Sequence, residues 1–174
     1  MPRRWRLLRW GRDAAVVLGV LAGVHAWQTR QIPSGEAPAF SADAVLPPTG
    51  HAQALSLAQW RAAHPGRAVA LHFWAAWCPI CKLEQHSVTR VATDWPVLTI
   101  ATQSGPAPAA HAVQAQRRLD WATVADPQGA LLARYGLTAV PAFVVIGPDG
   151  RLASASVGYT SELGMRLRLW WAQR

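Results

Sequence analysis

Seven residues, Ala68-Val69-Ala70-Leu71-His72-Phe73-Trp74, run with one polar interruption to within four positions of Cys78-Pro79-Ile80-Cys81. A run this short, apolar on odd and even positions alike, reads as a strand covered on both faces, which happens when helices flank a sheet on both sides. Proline is at home in the first turn of a helix, where its missing N–H costs nothing. The chain therefore leaves a central strand, turns through Ala75-Ala76-Trp77 and enters a helix near Pro79. That hand-over puts Cys78 at a helix N-terminus, where unpaired backbone N–H groups and the helix dipole favour a thiolate. Cys81 faces back over the same turn, within reach of its neighbour. The chain has no other cysteine, whereas a disulfide-stapled scaffold needs more pairs at longer spacing. The pair reads as chemistry, with Cys78 an exposed nucleophile and Cys81 the thiol that resolves a mixed disulfide. Zinc wants four ligands, and no second Cys-x-x-Cys or His-x-x-His pair is present to complete a site. A copper-binding module that uses the two thiolates without redox turnover remains the alternative, on ligand softness.

Strands and helices alternate beyond this point. Lys82–Thr93 is expected to be helical and to stop at Asp94-Trp95-Pro96, and Val97–Ala101 reads as a second buried strand. Ala109–Leu119 gives a polar helix, Ala122–Val124 a short strand, and Gln128–Tyr135 a helix closed by Gly136. Phe143–Ile146, the turn Gly147-Pro148-Asp149-Gly150 and Arg151–Val157 form a hairpin, and a last helix runs from an N-cap at Ser161 to Trp171. The expected fold class is α/β, a sandwich with a central mixed β-sheet flanked by helices.

The formal charge of +8 invites a nucleic-acid reading until its distribution is seen. Residues 1–30 hold six of the 17 basic side chains and one of the nine acidic ones, which leaves +3 for the rest. No basic stripe remains there, and nucleic acid is excluded as a partner. Residues 1–13 carry five arginines, and 14–27 are an apolar run from Ala14 to Trp27. Charge followed by apolar residues is the pattern of an export signal, and arginines on the N-terminal side keep Met1 cytoplasmic. Fourteen helical residues span about 21 Å, short of a hydrocarbon core of roughly 30 Å, which favours a cleaved signal. Trp10 and Trp27 flank the run as interfacial anchors do, arginines can snorkel, and an uncleaved anchor is the expectation. Residues 1–30 are thus assigned to a signal anchor forming an N-terminal hydrophobic helix, 31–39 to a linker and 40–174 to one domain. The domain is expected on the periplasmic side of an inner membrane crossed once.

The stretch Phe73-Trp74-Ala75-Ala76-Trp77-Cys78-Pro79-Ile80-Cys81-Lys82, followed about sixty residues later by Val140-Pro141, resembles the thioredoxin superfamily. It is more closely similar to the membrane-tethered TlpA/DsbE-like disulfide oxidoreductases, and within them to the suppressor-for-copper-sensitivity D (ScsD) branch. The residues that carry this are Trp77 to Glu84, the strand and loop Pro96 to Gly105, and Val157-Gly158-Tyr159-Thr160. The resemblance spans roughly residues 40 to 171 and implies a thioredoxin-like sandwich and thiol-disulfide exchange with protein thiols and disulfides. It implies no cofactor, and an electron supply from a membrane donor of the DsbD/ScsB kind. Pro141 corresponds to the family's cis-proline, which with Val140 presents backbone to a protein substrate; Trp77 and Pro79 complete the expected docking surface. Glu84, three residues after Cys81, matches a glutamate suspected of handling protons, with a solvated helix glutamate as the bland alternative. Two positions depart from the pattern. His72 stands where a buried acid is common and is expected to be a hydrogen-bonded structural histidine, and His86 replaces a helix-kinking proline, so the helix should be straighter.

Overall fold

A computed structural model describes residues 33–47 and 51–174 together with positions 10, 13, 16, 19, 20 and 23. The anchor expected over residues 1–30 falls mostly outside the described residues. Among the described residues, no helix is long and apolar enough to cross a membrane.

Among the described residues, seven strands form one sheet in the order β2-β1-β5-β4-β3-β6-β7. They are β1 Ser41–Val45, β2 Ala52–Ser56, β3 Val69–Trp74, β4 Val97–Thr102, β5 Thr123–Asp126, β6 Ala142–Ile146 and β7 Leu152–Val157. Among the residues described from 33 onward, the helices are α1 Leu57–Ala62, α2 Pro79–Ala92, α3 Ala107–Arg117, α4 Ala130–Arg134 and α5 Glu162–Ala172. β3, β4 and β5 are parallel, joined through α2 and α3, while β6, β7, β1 and β2 add antiparallel neighbours, so the sheet is mixed as expected.

The apolar run of β3 is buried at every position because alternate residues serve two cores. Val69, Leu71 and Phe73 join Leu98, Ile100, Val144, Ile146 and Tyr135 on one face, which α1 and α4 cover. Ala70 and Trp74 join Ala101, Phe143 and Val145 on the other, covered by Val88 and Val91 of α2, Ala110 of α3, and Met165 and Leu169 of α5. α2 and α5 are also tied at the surface: Arg166 donates to Asp94 at 2.6 Å and to Glu162 at 2.9 Å, and Arg90 reaches Glu162 at 2.6 Å. Exposed pairs of this kind add at most about 1 kcal/mol each.

The elements from β3 onward fall within a few residues of their expected places, including the hairpin turn with Gly150 at φ +86°, the closure at Gly136 and the Ser161 cap on Gly164 N–H at 3.2 Å. α2 runs unbroken through His86. β1, β2 and α1 were not anticipated. Ser41-Ala42-Asp43-Ala44-Val45 and Ala52-Gln53-Ala54-Leu55-Ser56 have one large apolar residue each, and pairing rather than pattern makes them strands. α1 did leave a signature: Ser56 Oγ accepts Gln59 N–H at 3.1 Å and Gln59 Oε1 accepts Ser56 N–H at 2.8 Å, a capping box. The chain is engaged before residue 40 as well. Ala37 N–H donates to Gly150 O at 3.0 Å, and Tyr135 Oη donates to Pro38 O at 2.8 Å.

Candidate active site

Strand register explains why residues so far apart in sequence meet. Phe73 pairs with Ala142 and Ala142 with Val157, so the end of β3, Pro141 at the head of β6 and Gly158 after β7 share one end of the sheet. Gly158 N–H donates to Pro141 O at 2.8 Å, and the Val140–Pro141 peptide is cis, as expected. The same end carries the C-termini of the parallel strands β4 and β5, the side on which open α/β sheets place their sites.

Cys78 is the N-cap of α2 and Pro79 its first residue. Cys78 and Cys81 form a disulfide with Cα atoms 5.3 Å apart. Cys78 Sγ accepts the Cys81 N–H at 3.1 Å and lies 3.8 Å from Val140 O. A backbone N–H aimed at this sulfur stabilises negative charge on it once the disulfide is opened. One expectation is corrected here. Cys78 is only 3% exposed, because the helix turn and the Val140 carbonyl close on the sulfur, and the open surface belongs to its neighbours Trp77, Pro79 and Ile80. Trp77 is 62% exposed whereas Trp74 is buried in the core.

Glu84 lies one turn beyond Cys81 on α2 and is 1% exposed, so the solvated alternative falls away. Burial pushes its carboxyl up to about 7, and the Thr160 N–H that donates to Oε1 draws it partly back. Thr160 is held by its hydroxyl, 2.9 Å from Ser156 Oγ. His72 is fully buried, yet neither ring nitrogen has a hydrogen-bond partner, contrary to the hydrogen-bonded histidine expected. Its walls are aromatic, Trp121 edge-on at 6.1 Å and Phe143 at 6.4 Å, and burial brings its pKa down to about 3. It is a neutral imidazole at any ordinary pH. Among the described residues, no three His, Cys, Asp or Glu side chains converge as a metal-binding group.

Sequence reasoning missed the supports of the site. Thr160 and Ser104 lie in stretches that carried the family resemblance without a role of their own, and nothing in the sequence marked Arg117.

The fold and the Cys-x-x-Cys disulfide at the head of α2 define a thioredoxin-like dithiol protein. The chain belongs to the AhpC/TSA family, whose model matches residues 33–155. It is 26% identical over 104 residues to a thioredoxin-like protein of Haemophilus influenzae, covering 59% of this chain and 62% of that one. It is 28% identical over 88 residues to a thiol:disulfide interchange protein DsbE homolog of Paracoccus denitrificans, covering 51% and 49%. The chain thus matches between about half and three-fifths of the length of these relatives. A secreted disulfide oxidoreductase of Mycobacterium tuberculosis homologous to E. coli DsbE superposes with a TM-score of 0.58 at 25% identity, over 76% of this chain and 95% of that one.

Proposed function

We propose that this chain is a protein thiol-disulfide oxidoreductase. The observation that carries the reading is the Cys78 sulfur at the N-terminus of α2, accepting the Cys81 N–H and lying beside Val140 and the cis Pro141. The Cys78 thiolate attacks one sulfur of a substrate disulfide; a Cys78–substrate disulfide forms and the other substrate sulfur leaves as a thiolate and takes up a proton. Cys81 then loses its proton and attacks Cys78 Sγ, releasing the reduced substrate and leaving the intramolecular disulfide seen here. The substrate gains two electrons and the pair loses them, so a dithiol donor resets the cycle. Glu84, with a carboxyl titrating near neutrality one turn from Cys81, accepts the Cys81 proton. Trp77, Pro79, Val140 and Pro141 dock the substrate chain.

The resemblance to the ScsD branch extends this reading to a reductant or exchange catalyst, held at the periplasmic face of the inner membrane by residues 1–30 and recharged by a donor of the DsbD/ScsB kind. The Arg-rich start and the apolar run to Trp27 support the location. Trapping in cells tests the core of the proposal. C81S should accumulate mixed disulfides that reductant releases, and the double variant C78S/C81S should accumulate none. Equal adducts in both, or none in C81S with a thiol-to-copper stoichiometry of two to one in the purified protein, would overturn it.

A further inference from the structure

The lead-in to Cys78 is gripped from two neighbouring elements. Ala76 N–H donates to Ser104 Oγ at 2.9 Å, and that hydroxyl donates to Thr102 O at 2.9 Å, tying the lead-in to the end of β4. Trp77 Nε1 donates to Gln103 O at 3.2 Å. Gln103 holds φ at +48°, a left-handed conformation that residues other than glycine adopt only when surroundings impose it. From the other side, Arg117 in the last turn of α3 donates from Nη2 to Ala76 O at 2.7 Å, with its guanidinium carbon 6.0 Å from the centre of the Trp74 ring. Both polar groups of the Ala76 backbone are therefore fixed by side chains from outside the loop. None of the ion pairs among the described residues involves Arg117, so its charge is not spent on a carboxylate.

We propose that Arg117 is a positioning residue for Cys78: it anchors the Ala76 carbonyl and lends an unneutralised positive charge to the nucleophilic thiolate two residues on. The inference rests on the thiol-exchange reading above. Two residues of chain span at most about 7 Å, and the hydrogen-bonded guanidinium and the cysteine side chain extend beyond its two ends, so the guanidinium acts within roughly 15 Å of the sulfur. A charge at that range, through a partly screened surface, lowers a thiol pKa by about 0.5 to 1 unit, on top of the helix N-terminus. An arginine suits the place because one N–H fixes the carbonyl while the guanidinium stays within cation–π range of the Trp74 ring. The other titratable groups on the elements meeting here are Lys82, Glu84, His86 and Arg90 on α2, Cys81 itself, His72 on β3, His111 on α3 with Arg118 capping it, and Tyr159 after β7. Asp126, at the end of β5, accepts the N–H groups of Leu131 and Leu132 and the Thr102 hydroxyl, so its carboxylate is held between α4 and the end of β4.

The test is the pH dependence of iodoacetamide alkylation at Cys78 in the reduced full chain, between about pH 4 and 9, counted by peptide mass. R117Q should move the midpoint up by about 0.5 to 1 unit, and R117K, which keeps the charge, should recover at least about half of that shift. Thermal unfolding checks that each variant folds, and R117M takes the place of R117Q should the latter not fold. An R117Q midpoint equal to wild type, or an R117K shift as large as that of R117Q, overturns the proposal. A wild-type midpoint at the ordinary thiol value of about 8.5 would instead bring down the thiol-exchange reading itself.

Discussion

Replacing Glu84 by glutamine should change how stability depends on pH, not only how large it is. The carboxyl titrates at about 7 in the folded protein against 4.5 for an ordinary glutamate, because burial disfavours its charge. Between those values the folded chain holds a proton that the unfolded chain has released, so stability falls as pH rises through that window. Below pH 4.5 both states are protonated and the group costs nothing; above about 7 the full cost is present. A difference of about 2.5 units at 1.36 kcal/mol each amounts to about 3 kcal/mol, a large share of the stability of an ordinary domain. Glutamine keeps an oxygen for the Thr160 N–H and cannot ionise. The stability of E84Q relative to wild type should therefore grow by about 3 kcal/mol between pH 4.5 and 7 and then level off. Urea unfolding of the oxidised protein at four or five pH values measures this, and the subtraction removes every other titrating group. Two curves separated by a constant offset would refute the reasoning, since the carboxyl would then titrate alike in both states.

His72 acts in the opposite sense. Its pKa of about 3 when folded against 6.5 when free means that stability is complete above pH 6.5 and is lost as pH falls towards 3, so H72L should move the acid-unfolding midpoint to lower pH by circular dichroism. Y135F removes the hydrogen bond from a fully buried hydroxyl to Pro38 O and should cost about 1 kcal/mol in urea unfolding, with no change in thiol reactivity. S161A removes the cap of α5 on Gly164 N–H and should cost about 1 kcal/mol by the same measurement; an unchanged midpoint would mean that the cap is already satisfied by water.

Much of the domain was legible because its signals are local. The apolar run of β3 could be buried only between two layers, Pro79 could sit only in a first turn, and the hairpin turn and the cap at Ser161 announce themselves in four residues each. The first third of the domain was not legible, since β1 and β2 carry too little apolar surface to declare a face and exist through pairing with each other and with β5. Glu84 shows the same divide at the site. Its spacing from Cys81 was in the sequence, but whether it is solvated or buried depends on the turn at Thr160, 76 residues away, closing on it.

The sequence by itself determined the reactive pair, its position at a helix N-terminus and the central strand that leads to it, because each follows from contacts within a few residues. Only the tertiary structure decided what surrounds that pair: the cis Val140–Pro141 peptide beside the sulfur, a carboxyl kept out of water, a histidine left without partners, and an arginine clamped on the Ala76 carbonyl. These depend on strand register and layer packing between segments far apart in the chain. Burial and charge proximity are properties of that assembly and not of any stretch of residues.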